Sequence, residues 1–208
     1  MLRQSVLFLF FMYSFSFLPF GSSALGTAGD SVIAILDDEP IHAMEYLRAY
    51  AMVRPSVIYD VVAKEPLSNS FNQVNQNISP NGMDVLKSAA LSMCIRIKMQ
   101  EILMKEQGIL PDISYSSFCK DYKSEMENRL LKTKKGEPVY GPVQMDEKMF
   151  FNYRFSSNTT RLKNKLREVL KISPSESFDF KYENMIDALI KNAKVQINQQ
   201  LYNQISLQ

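Results

Sequence analysis

Ser31–Tyr46 reads SVIAILDDEPIHAMEY, and this stretch decides the fold. Val32, Ile33, Ala34, Ile35 and Leu36 make an apolar run of the length of a short buried strand. Asp37-Asp38-Glu39-Pro40 follows as an acidic turn. Ile41 and the polar His42 then lead into an amphipathic helix carrying Met44, Leu47, Tyr50, Ala51 and Val53. Pro55 interrupts that helix, because proline lacks the amide donor and crowds the preceding turn. A kink or two short helices are expected between His42 and Val62.

Ahead of this opening, residues 1–24 read as a cleaved signal peptide. Arg3 supplies a positive start, Val6–Phe20 is an apolar run, and Ser22-Ser23-Ala24 offers small residues for a peptidase. The alternative is a retained anchor, but Pro19 and Gly21 close the run short of a full span. Cleavage after Ala24 leaves 184 of the 208 residues as one domain, 25–208, outside the cytoplasm, with no integral membrane span. Loss of Arg3 takes the formal charge from +2 to +1, which argues against a dedicated binder of nucleic acid or anionic membrane.

The rest of the chain is predominantly helical in pattern. Lys64–Gly82, rich in Asn, Ser, Gln and Pro, reads as an exposed connector. Asp84–Gln107 carries a wide apolar stripe ending at Gly108. Ser114–Lys132 places Tyr115, Phe118, Cys119, Tyr122 and Met126 at helical spacing, with Glu125 and Arg129 as a surface pair. Lys134–Val143 breaks the pattern with two Gly and two Pro. Asp146 is the expected N-cap of a helix reaching about Leu170, aromatic in its first half and basic in its second. Ser173-Pro174-Ser175-Glu176 fits a capping box for a last helix through Tyr182, Ile186 and Leu189. Lys194–Asn198 alternates as a short strand does. Asn77-Ile78-Ser79 and Asn158-Thr159-Thr160 match the glycosylation triplet, a pattern that arises often by chance.

The opening Val32–Leu36, Asp37–Pro40 and Ile41–Tyr46, together with the closing Tyr182–Asn198 (YENMIDALIKNAKVQIN), resembles the SurA/PrsA-type extracytoplasmic foldase chaperones. His42 departs from the family's usual Thr or Ser cap, and Asp37 stands where Asn is common. The resemblance implies a mainly α chaperone lobe: an N-terminal part, 30–170, and a returning helix and strand, 174–200. The terminal strand would pair with Val32–Leu36. A parvulin prolyl-isomerase domain would fall between Leu170 and Tyr182, where 11 residues are too few. The family's isomerase pocket uses paired histidines, and this chain has only His42.

Little in the sequence supports catalysis. His42 at a helix start fits a solvent-facing cap better than an acid or base. Asp37-Asp38-Glu39 reads as solvated turn carboxylates rather than a cation site. No metal, nucleotide or other cofactor is implied. Cys94 and Cys119 fall on apolar helix faces; buried thiols are the simpler expectation and a disulfide is the alternative in an oxidising compartment. Binding chemistry is better represented. Of twelve methionines, only Met1 and Met12 lie in the leader, and methionine adapts to unlike partners. Met44, Tyr46, Tyr50, Met52 and Val53, with Met149, Phe150, Phe151, Tyr153 and Phe155, are the candidate lining of an apolar cradle for polypeptide; the alternative is that they form the core. The expected activity is ATP-independent holding of unfolded or newly exported clients. Its rival is a non-enzymatic protein dedicated to one secreted partner, with prolyl isomerase a distant third.

Overall fold

The N-terminal apolar run is the central strand of a small sheet in a computed structural model that describes residues 31–64, 80–173 and 177–205. Strand β1 (Val32–Leu36) pairs antiparallel with β2 (Glu39–His42) and, on its other side, with β3 (Val195–Ile197). Asp37 and Asp38 both take positive φ, 46° and 70°, as a two-residue hairpin turn matched to strand twist requires. The acidic turn is thus a hairpin loop, and Glu39–His42 is a strand where the sequence suggested only turn and helix lead-in. One residue of β1 is extra relative to β2 between Val32 and Ala34. That bulge lets Ile33, Ala34 and Leu36 all bury, while Val32 and Ile35 stay partly exposed on the other face.

The expected closure of the two chain ends is present. Ala34, Ile35 and Leu36 face Ile197, Gln196 and Val195, respectively. Asp37 reinforces the junction twice: its amide donates to the Lys194 carbonyl at 3.1 Å, and its Oδ1 accepts from the Lys194 amide at 2.8 Å.

Six helices complete the described residues: α1 (Ala43–Lys64), α2 (Pro80–Glu106), α3 (Tyr115–Lys134), α4 (Glu147–Val169), α5 (Asp179–Asn192) and the short α6 (Gln199–Gln204). Helix α1 is one helix through Pro55 and not two short ones. Pro55 and Ala51, whose carbonyl loses the amide partner, both lie on the exposed side, where water can take that acceptor. Gly108, at φ 68°, follows the end of α2. Ser114 Oγ accepts from Ser117 N to cap α3, and Asp146 Oδ1 accepts from Met149 N to cap α4 as expected. Helix α5 starts after Phe178 with no side-chain cap; residues 174–176 of the proposed capping box lie outside the described residues, as do the leader and most of the 64–82 connector. Helix α6 had no counterpart in the sequence expectation; six residues are too few for a periodic signal.

The core has three connected parts. Under the sheet, Ile33, Leu36 and Ile41 pack with Tyr46, Ala49 and Leu86 of α1 and α2. Between α2, α4 and α5, Met104, Leu162, Leu166, Tyr182 and Ile186 are enclosed. The third is aromatic: Phe118, Phe150 and Phe151 close on Ile97 and Met145. Tyr182 Oη donates to Gln100 Oε1 at 2.7 Å, fastening α5 to α2 inside the molecule.

Candidate functional site

The aromatic first half of α4 is where the sequence placed the cradle, and most of it is core. Phe150 and Phe151 are 6% and 4% exposed, stacked among Phe118, Tyr122 and Phe155 at centroid distances of 5.3–6.0 Å. Tyr46, Tyr50 and Val53 are likewise buried beneath the sheet and against α2. Met44, Met52 and Phe155 are half-buried. Only Met149 (46%) and Tyr153 (61%), one turn apart on the outer face of α4, are open to a partner. The candidate residues therefore do not come together as one cradle. Helical spacing marks an apolar face but not whether another helix covers it.

What the sequence missed is an arm. Helix α3 fully buries only Phe118. Beyond Met126 it is mostly exposed, and the strap 135–144 runs back along it. Arg129 holds the strap, donating from Nη1 to the carbonyls of Tyr140 (2.9 Å) and Pro142 (3.0 Å) while its Nε donates to Glu125. Gly136 and Gly141 take the positive φ values, 72° and 80°, that the strap's turns require. Tyr122 Oη fixes the strap's base at the Met145 carbonyl, 2.8 Å away. Twelve large apolar side chains are exposed among the described residues, and six fall within this arm and the adjoining start of α4: Leu130, Leu131, Tyr140, Val143, Met149 and Tyr153. Tyr140 is the most open of them, at 89%. The Gly and Pro of the strap signalled a turn, but no periodic signal reveals that a helix leaves the body.

A buried charged junction anchors the arm's root. Lys98, 2% exposed on α2, contacts Glu45 Oε1 at 2.6 Å and the Ile113 carbonyl at 3.3 Å. Glu101 Oε2 lies 3.3 Å from the same ammonium without an aligned hydrogen bond. Burial pulls the Lys98 pKa down, but Glu101 and Glu45 outweigh it and hold the lysine charged. Burial pushes the Glu101 pKa up against the pull of Lys98, and the Glu45 charge pushes it further. Glu45 also accepts from the His42 amide at 2.8 Å, closing the start of α1 from its third position in place of a Ser or Thr cap. Arg48 lies over Phe151 (4.0 Å) and Phe118 (4.6 Å), with Glu147 3.9 Å away. The cavity between these groups is about 10 Å³, room for about one water. The junction thus fastens α1 and α2 to the approach to α3 around a space of about one water.

The two cysteines are free thiols in separate parts of the core. Cys94 is buried beneath the sheet and its pKa is raised by burial; Cys119 is half-buried in the aromatic part. Of the turn carboxylates, Glu39 pairs with Lys105 at 2.5 Å and Asp37 is spent on Lys194. Asn158, the acceptor of its glycosylation triplet, is buried within α4, while Asn77 lies outside the described residues. Among the described residues, no helix is long and apolar enough to cross a membrane, and no cluster of three His, Cys, Asp or Glu could hold a metal.

These elements define a mainly helical protein whose ends are joined by a three-stranded antiparallel sheet and whose middle carries a projecting arm. No family model, curated protein or solved structure matches the chain.

Proposed function

We propose that the protein is an exported, ATP-independent chaperone of the holding type that binds unfolded polypeptide through the arm. The concentration of exposed apolar side chains between Leu130 and Tyr153 carries this reading. Apolar residues scattered singly over a surface need no explanation, but a helix end and strap that bury little and expose Leu130, Leu131, Tyr140 and Val143 within fourteen residues, with Met149 and Tyr153 following on α4, concentrate apolar surface in one part of the chain. Contacts of this kind are weak and unspecific. They release a client when it folds and buries the same side chains itself. The resemblance of the two chain ends to SurA/PrsA-type foldases supports the same activity without prolyl isomerisation.

The test is suppression of aggregation of several unrelated unfolded proteins, without ATP, by equimolar purified protein. The informative variant is Leu131→Ser with Tyr140→Ser and Tyr153→Ser, because these side chains are exposed and their loss leaves the core intact. Serine at Phe150 or Phe151 would instead remove about 3–5 kcal/mol of core and unfold the site it tests. Suppression that the triple variant lacks supports holding through the arm. Absence of suppression with every client overturns it in favour of a protein dedicated to a single secreted partner, to be sought by pull-down.

A further inference from the structure

Strand β3 ends the sheet with an open edge. The sheet order is β2-β1-β3, so among the described residues no strand lies beyond β3. The hydrogen-bonded pairs in an antiparallel ladder recur every second residue. The Asp37 amide reaches the Lys194 carbonyl and the Asn198 amide reaches the Ile33 carbonyl, which places Gln196 in the same inward set, opposite Ile35. The amides and carbonyls of Val195 and Ile197 therefore point away from β1. Natural edges are commonly guarded by shortness, a charge, a proline or a bulge; β3 is only three residues long and follows Lys194, but Val195-Gln196-Ile197 itself carries no charge, proline or bulge.

Over β1 and β3, where the sheet meets the start of α6, is a groove of about 380 Å³. Val32 and Ile35 give it an apolar floor, and Gln196, Gln199 and Gln200 give it a carboxamide rim, while Ile197, opposite Ala34, turns its side chain towards the core. The β1 bulge is what turns Val32 and Ile35 to this face rather than to the core. None of its described lining residues is charged. A carboxamide both donates and accepts, as a peptide main chain does, and no ion pair rewards a charged ligand here.

We propose that β3 takes up an extended, uncharged polypeptide segment as a fourth strand, with alternate side chains of that segment lying beside Gln196 at the rim of the groove. The proposal rests on the reading that the protein binds polypeptide, and it supplies a second site far in sequence from the arm, specific for extended main chain rather than for apolar side chains alone.

The test uses a labelled, end-capped six-residue peptide of alternating Val and Thr, and the same peptide N-methylated at alternate residues. Fluorescence anisotropy reads binding, and amide hydrogen exchange reads the edge. Val195→Pro removes one outward donor and leaves the Gln196 pairing to β1 in place. The expected result is that Val195→Pro and the N-methylated peptide each bind about tenfold more weakly, and that the Val195 and Ile197 amides gain protection with the unmodified peptide. Equal binding of both peptides, or unchanged exchange at Val195 and Ile197 in the unsubstituted protein, overturns the proposal even where the proline variant folds poorly. A stable dimer that Val195→Pro dissociates overturns it too, since the edge would then be occupied by a second copy. The Leu131/Tyr140/Tyr153 serine variant is expected to keep peptide binding at the edge. Loss of aggregation suppression alone thus falls on the arm, and loss of edge binding alone on β3.

Discussion

Lys98 shows what a single buried charge does in this molecule. Its ammonium sits among Glu45, Glu101 and the Ile113 carbonyl, joining α1, α2 and the approach to α3. Two carboxylates are tolerable there because one cation is held between them. Lys98→Met removes that cation and leaves like charges facing one another out of water, which is expected to cost about 3–5 kcal/mol in denaturant unfolding. Adding Glu101→Gln to that variant removes one of the stranded charges, so part of the loss is expected to return. A Lys98→Met midpoint equal to that of the parent would mean that water reaches the junction freely. The sequence displayed every one of these residues without revealing the junction, since a lysine on a helical apolar face is ordinarily assigned to solvent. The same limit governed the aromatic stretch of α4: its periodicity correctly marked an apolar face, but Phe118 and Ile97, far away in the chain, are what cover it.

At the scale of elements, strong local chemistry was legible and weak or context-dependent chemistry was not. The Asp146 cap, the Gly108 stop and the alternation in Lys194–Asn198 each act within a few residues, and the structure has them. Strand β2 contains Pro40 and two polar residues in four, so only its pairing with β1 makes it a strand. Pro55 left open a kink or two short helices, and the structure has one helix there. Packing of α1 along α2, through Ala49, Tyr50 and Val53 against Leu86, Ala90 and Cys94, sustains the helix through a residue that disfavours it. Pro55→Ala supplies the missing amide to the Ala51 carbonyl on an exposed face, and is expected to stabilise the protein by about 1–3 kcal/mol, read as a raised melting temperature. A lowered melting temperature would mean that the local geometry at Pro55 is what seats the end of α1 on α2.

For the whole molecule, the decisive contacts join the extremes of the chain. The pairing of β1 with β3 was expected from the resemblance of the two end segments to SurA/PrsA-type foldases; periodicity alone marked each as a strand and named no partner. Removing residues 193–208 tests how much rests on it. The truncation deletes β3, the two Asp37–Lys194 hydrogen bonds, and the Ile197, Leu201 and Tyr202 side chains packed on the first part of the core. Tyr46, enclosed in the intact protein with its ring 5.9 Å from that of Tyr202, would meet solvent. At roughly 1–2 kcal/mol for each of the three partly buried side chains removed, the loss is on the order of 3–6 kcal/mol, comparable with the whole stability of many domains. The truncated chain is therefore expected to lose cooperative urea unfolding while keeping much of its helical circular dichroism. A synthetic peptide of residues 193–208 added in trans should restore the transition in a concentration-dependent manner, since it binds only the folded lobe. Unfolding of the truncated chain at the parent's midpoint would show that the helical body and the β1–β2 hairpin stand without β3.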